Sequence, residues 1–110
     1  MSWIRYLLLN LILAMPLTTI AMDALVIEIV IENHKFDPAE IKVPKNTKLK
    51  LVIHNKDATI EEFESLDFNR EKIVPPGKKI HIILPPLKAG IYNFYGEFHQ
   101  DTARGVLVVE

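Results

Sequence analysis

Two short acidic segments hold the residues of this sequence whose types and spacing could bind a metal ion. The first is Glu-Glu-Phe-Glu at residues 61–64, and the second is Gly-Glu-Phe-His-Gln-Asp at residues 96–101. Carboxylates together with one imidazole suit iron, manganese, zinc or divalent copper. The alternative interpretation, without a metal, is a solvated acidic surface with an exposed loop histidine. In an extended chain, where successive side chains alternate, the candidates fall into two sets, Glu62 with Glu64, and Glu97 with His99 and Asp101.

The composition excludes several other kinds of site. The chain has no cysteine, so it can build no disulfide, no thiolate zinc site, no iron–sulfur cluster and no copper centre that depends on a thiolate. Its 13 basic and 14 acidic residues give a formal charge of -1, and no patch is basic enough to grip nucleic acid. No G-x-S-x-G elbow, phosphate loop or H-E-x-x-H motif is present. We therefore expect a binding protein and not an enzyme, with any metal held by oxygen and imidazole nitrogen.

The elements that must position these residues are short strands. Runs rich in β-branched or alternating apolar residues predict strands at residues 25–32, 48–54, 78–84, 90–94 and 105–109. Prolines lie between these runs, where a missing amide donor does not weaken a sheet. After Ala24 no segment of ten or more residues keeps a helical apolar stripe. One domain over residues 22–110 is expected, an all-β Greek-key antiparallel β-sandwich.

Residues 1–21 have the pattern of a secretory signal peptide. Arg5 supplies a positive charge, residues 6–15 are almost wholly apolar, and small residues precede a cleavage position after Ala21. The apolar run is shorter than the roughly twenty residues that span a bilayer. We therefore expect an exported, soluble protein in the periplasm.

The sequence resembles a known family in two motifs and in their order along the chain. Residues 36–47 (Phe-Asp-Pro-Ala-Glu-Ile-Lys-Val-Pro-Lys-Asn-Thr), followed by the strand and the Asn-Lys-Asp turn at residues 51–57, resemble the opening of a cupredoxin-like domain. The strands at residues 90–94 and 105–109 continue the pattern. The electron-carrying members of that family place His after the first turn and Cys, His and Met around the last loop. Here Glu61 and Glu62 lie near the first position and residues 96–99 near the second, so the resemblance does not imply blue-copper electron transfer.

The acidic segments are instead similar to cupredoxin-like proteins associated with bacterial periplasmic uptake of iron or copper, including the cupredoxin domain of EfeO-type iron-uptake proteins, which carries a comparable Glu-aromatic-Glu. This resemblance implies capture of a metal ion and its delivery to a membrane permease or another periplasmic carrier. The Glu-aromatic-Glu phrase selects Glu62 and Glu64 as ligands, whereas alignment on a His-x-Phe phrase selects Glu61. We take the first alignment, and the predicted metal ligands are Glu62, Glu64, Glu97 and His99.

One alternative accompanies this prediction. The chain could be a metal-free sandwich that docks onto a partner through its acidic end.

Among the other histidines, His34, His54 and His81 are expected at the surface and not as ligands. His34 differs from the other two in position, because turns at one end of a sandwich can approach the final loop.

Overall fold

The structure, a computed structural model, describes Pro16 and residues 23–110. Apart from Pro16, the predicted signal peptide at residues 1–21 lies outside the described residues. In the described part of the chain no helix has the length and apolar character needed to cross a membrane.

Nine strands and one short 3₁₀ turn make up the described domain. The strands are β1 (Leu25–Glu32), β2 (Lys35–Asp37), β3 (Glu40–Val43), β4 (Leu49–Asn55), β5 (Glu61–Ser65), β6 (Arg70–Val74), β7 (Lys79–Leu84), β8 (Gly90–Gly96) and β9 (Arg104–Val109), and the 3₁₀ turn is Glu97–His99. All five predicted strands are present, and the predicted all-β sandwich is confirmed.

The strands form two sheets, with orders β2-β1-β4-β7 and β3-β9-β8-β5-β6. Most neighbours are antiparallel, as predicted, but β1 pairs with β4 and β3 pairs with β9 in parallel. Because β1 and β4 run in the same direction, the turn after β1 and the loop after β4 lie at the same end of the sandwich. The loop between β8 and β9 meets them there, as the contacts described below show.

The core lies between the two sheets and is filled from both. β4 contributes Leu49, Leu51 and Ile53, which are buried in strict alternation, as the sequence pattern predicts. The rings of Phe36 and Phe94 pack on Phe63 with centroids 5.9 and 5.2 Å away. Burial of apolar surface is the main favourable contribution to folding, and these large rings supply part of it.

Candidate functional site

Strand β5 separates the acidic residues of the first segment onto two faces of its sheet. Glu61, Phe63 and Ser65 point into the sandwich and are buried, while Glu62 and Glu64 point outward and are half-buried. This alternation is the ordinary pleat of a strand. Two glutamates that are adjacent in sequence therefore belong to two different environments.

On the inner side, Glu61 and His99 form a close pair. Glu61 is only 1% exposed, and its Oε2 lies 2.6 Å from Nδ1 of His99. Its Oε1 accepts hydrogen bonds from two backbone N–H groups, those of Phe98 at 2.9 Å and Glu62 at 3.0 Å. A buried carboxylate is tolerated only when its oxygens are satisfied in this way. The pair joins β5 to the 3₁₀ turn that follows β8.

A second histidine packs against this pair. The ring of His34 stacks on the ring of His99 with centroids 3.6 Å apart and planes 14° from parallel. His34 lies in the turn between β1 and β2, where it and Asn33 both have positive φ values of 55° and 53°. Their backbone N–H groups donate to the carboxylate of Asp57 at 3.0 and 2.8 Å. The expectation that His34 could approach the final loop is confirmed.

On the outer side, three glutamates from β5 and β6 meet. One carboxylate oxygen from each of Glu62, Glu64 and Glu71 lies within 4.8 Å of the other two. Glu71 faces Glu64 directly across the antiparallel pair of strands, and like charges in that relation destabilise a sheet. Glu97 adds a fourth carboxyl group, close enough that Glu64 contributes to raising its pKa. We call these four residues the outer acidic cluster.

The crowding of negative charge changes the titration of this cluster. A hydrogen bond to Glu71, followed by partial burial and the charges of Glu71, Glu64 and Glu97, raises the pKa of Glu62 to about 7. Burial and the neighbouring Glu64 also raise the pKa of Glu97. Tyr95 lies on β8, directly opposite Glu64 of β5. Burial, and next the charge of Glu64, raise the pKa of Tyr95. A bound cation would relieve this repulsion.

The structure brings together three of the four predicted ligands and separates the fourth. Glu62, Glu64 and Glu97 belong to the outer acidic cluster, whereas His99 pairs with Glu61 inside. The expectation that Glu97, His99 and Asp101 share one side of an extended segment is wrong, because residues 97–99 form a 3₁₀ turn. Successive side chains in such a turn are rotated by about 120°, so Glu97 and His99 diverge.

Glu71 is the member of the cluster that the sequence did not indicate. Its place depends on the pairing of β5 with β6, in which Glu64 is opposite Glu71 and Ser65 is opposite Arg70. The feature of the sequence that could have revealed this pairing is a possible hairpin turn around residues 66–69. Neither strand was predicted, so the two glutamates could not be placed opposite each other.

Comparison with known proteins identifies the family. A model of the cupredoxin-like domain matches residues 5–109. An uncharacterized protein of Rickettsia prowazekii (strain Madrid E) is 58% identical over 87 residues, which are 79% of this chain and 70% of that protein. The chain belongs to the cupredoxin-like domain family.

Two solved structures have the same fold at low sequence identity. Auracyanin A, a blue copper protein from Chloroflexus aurantiacus, has a TM-score of 0.69 at 15% identity, covering 80% of this chain and all of that one. The metal-binding domain of the Cu(I)-exporting P-type ATPase CopA of Streptococcus pneumoniae D39 has a TM-score of 0.70 at 17% identity, covering 77% of this chain and 84% of that one.

The residues of this chain do not fit a copper centre of the thiolate type. The sequence has no cysteine, and the end of β8 has no space for a side chain at Gly96. A Cβ there would lie 2.6 Å from Cδ of Glu61 and 2.8 Å from Cβ of Ala103. Nδ1 of His99 is also engaged with Glu61. Any metal chemistry of this protein must therefore use other donors.

Proposed function

We propose that this protein is an exported metal-binding protein, not an enzyme, which captures or delivers iron or copper for a membrane uptake system in the periplasm. Its family membership supports the general class, and the signal-peptide pattern of residues 1–21 supports export. The outer acidic cluster is the proposed site for the metal cargo. A membrane permease or another periplasmic carrier is the proposed recipient.

The observation that carries this proposal is the convergence of Glu62, Glu64 and Glu71, with oxygens within 4.8 Å of one another. Carboxylate oxygens bind a cation at about 2.0–2.2 Å, so modest side-chain rotation brings three of them onto one ion. The neighbouring carboxylates raise the pKa of Glu62 to about 7, because their repulsion disfavours the fully ionised cluster. A bound cation would relieve this repulsion.

The donor set also favours one cargo over the other. Carboxylate oxygens are hard donors, and they suit hard cations better than monovalent copper, which prefers sulfur. Within the proposed function, iron is therefore favoured over copper at the outer acidic cluster. This assignment is in line with the resemblance to EfeO-type iron-uptake proteins.

The test is titration of iron, supplied as Fe²⁺ under nitrogen and as ferric citrate, into the protein and two variants. We expect one iron equivalent to bind, and Glu62→Gln/Glu64→Gln to weaken binding at least tenfold, about 1.4 kcal/mol. Glu28→Gln/Glu32→Gln is the matched control, because it removes the same two charges from exposed positions on the other sheet. Equal affinities in all three proteins would refute the site. Absence of binding by iron, copper, manganese and zinc would favour the metal-free docking module.

A further inference from the structure

We infer that two copies of this chain associate in solution through the outer face of the five-stranded sheet, around a two-fold axis that runs along β8. In this dimer Arg104 of each copy pairs with Glu64 of the other. The dimer goes beyond the proposed function and does not require iron. Three features of the face support it: an apolar centre, unpaired charges of both signs, and the match between them under two-fold symmetry.

The centre of this face is apolar. β8 is the middle strand of the five-stranded sheet, and its Ile91 is 68% exposed, more than any other large apolar side chain in the described strands. Ile91 is directly opposite Val108 of β9, and Val106 lies on the same face two residues earlier. Both valines are half-buried. Adjoining apolar side chains of this kind, rimmed by charged residues, are typical of a surface that another protein covers.

Beside the apolar centre, one row of side chains carries charges of both signs. The register places four residues directly opposite one another in turn, Arg104 of β9, Tyr95 of β8, Glu64 of β5 and Glu71 of β6. Their side chains therefore lie on the same face. Arg104 is exposed, and within residues 23–110 no carboxylate lies within 4.0 Å of it. In the same part of the chain, neither glutamate has a Lys or Arg partner within that distance.

Two-fold symmetry brings these unpaired charges together. Within one chain, Arg104 and Glu64 lie on either side of β8, about 10 Å apart across two strand spacings. A two-fold axis along β8 lays β9 of one copy over β5 of the other. Arg104 then faces Glu64 of the second copy, and the pair occurs twice. On the axis, Ile91 and Tyr95 each face their own counterpart. The same contact covers the apolar centre and supplies the cation that the glutamates lack.

A second copy fits this face better than a partner with charge of a single sign. A basic partner would meet Arg104, and an acidic one would meet the glutamates, whereas a face with both signs on either side of its centre is complementary to itself. On the edge strand β3, Glu40 and Lys42 add one charge of each sign. The face measures about 24 Å across five strands and about 20 Å along them, at the small end of specific interfaces. We therefore expect a dimer that forms reversibly as the protein concentration rises.

Sedimentation velocity of the purified protein, with a chelator present, tests the dimer. The sedimentation coefficient should rise with concentration from that of a single chain to that of a dimer. Ile91→Lys places like charges together at the axis and should raise the dissociation constant of the dimer by about tenfold or more. Ile83→Lys is the matched control, because Ile83 is an exposed isoleucine on the outer face of the other sheet. It should leave the dissociation constant unchanged.

Reversal of each charge tests the contact between Arg104 and Glu64. Arg104→Glu and Glu64→Arg should each dissociate the dimer, because each variant brings like charges together twice. An equimolar mixture of the two variants should dimerise again, since every such contact between the unlike chains joins an arginine to a glutamate. A change confined to one chain cannot produce this rescue. Circular dichroism checks that both variants fold.

Three results would overturn the dimer. They are sedimentation as a single chain at every concentration, equal dissociation constants for Ile91→Lys and Ile83→Lys, and a mixture of the two charge variants that stays monomeric. None of these results bears on the iron titration, because the converging oxygens of Glu62, Glu64 and Glu71 belong to one chain. Conversely, failure of iron to bind would leave the dimer as it is, since its test contains no iron.

Discussion

At the scale of single residues, Glu62 is distinguished by acidic neighbours that raise its pKa. Its neighbours Glu71, Glu64 and Glu97 are all acidic, and they raise its pKa from 4.5 to about 7. No Lys or Arg in residues 23–110 lies within 4.0 Å of the outer acidic cluster to offset these charges. The protonated form of Glu62 is thus more stable in the folded protein than in the unfolded chain.

This shift gives the first prediction, a pH dependence of the metal-free protein. Because the folded pKa is raised, the stabilising contribution of protonated Glu62 is fully present below about pH 4.5 and is lost as the pH rises through about 7. Urea unfolding with a chelator present should therefore show a loss of stability between about pH 5 and pH 8. Glu62→Gln should lose less over the same interval. Parallel pH profiles for the two proteins would contradict the crowding argument.

At the scale of elements, the sequence predicted the strands with apolar alternation or many β-branched residues and missed β2, β3, β5 and β6. β4 and β7 were predicted with the correct buried residues, because their apolar alternation needs no partner to be recognised. β5 was not predicted as a strand, since its inward positions include Glu61 and Ser65, which are polar. These positions are buried only because His99, Asn93 and backbone groups from distant segments satisfy them. The separation of His99 from Glu97 was missed for a related reason, since a 3₁₀ turn of three residues has no periodic pattern.

The second prediction concerns the junction between β8 and the 3₁₀ turn. Gly96→Ala would place a Cβ 2.6 Å from the carboxyl carbon of Glu61 and 2.8 Å from Cβ of Ala103. Overpacking of this kind should cost about 1–3 kcal/mol in the free energy of unfolding. It should also shift the ring resonances of His99 in nuclear magnetic resonance spectra.

Gly77→Ala is the matched control for this change. Gly77 has a positive φ of 70° but nothing within 4 Å of an added Cβ, so its cost is backbone strain alone, about 1 kcal/mol. The His99 resonances should stay where they are. If Gly96→Ala also leaves them in place, the loop adjusts without disturbing the Glu61–His99 pair, and the described packing at Gly96 does not control it.

At the scale of the whole molecule, a nearly neutral chain gathers four of its acidic residues in one cluster. The 13 basic and 14 acidic residues almost cancel, yet one outer sheet face holds the outer acidic cluster. The outer face of the other sheet carries charges of both signs, with Lys50 and Lys79 on β4 and β7 and Glu28 on β1. A local field of this kind attracts cations to one face at distances up to about 8 Å, the screening length at physiological ionic strength.

The outer acidic cluster and the Glu61–His99 pair both include residues of β5, and the ring of Phe63 anchors that strand in the core. Phe63 is fully buried between Glu62 and Glu64 in sequence, and its ring packs against Phe36, Phe68 and Phe94. Phe36 comes from the other sheet, so Phe63 ties the glutamate-bearing strand to the opposite layer. The position of all three glutamates of β5 follows from this contact.

The last prediction is that Phe63→Ala lowers the free energy of unfolding by about 3–5 kcal/mol, because removal of a buried ring loses its transfer free energy and leaves a cavity. Phe98→Ala is the control, since Phe98 is 48% exposed and its substitution should change stability by less than about 0.5 kcal/mol. Urea unfolding of the metal-free proteins measures both. If Phe63→Ala does not fold, Phe63→Leu should still show a loss of about 1–2 kcal/mol. Iron affinity should also fall in the Phe63 variants, because Glu62 and Glu64 of the outer acidic cluster lie on β5. An unchanged iron affinity would show that Phe63 does not position these two side chains.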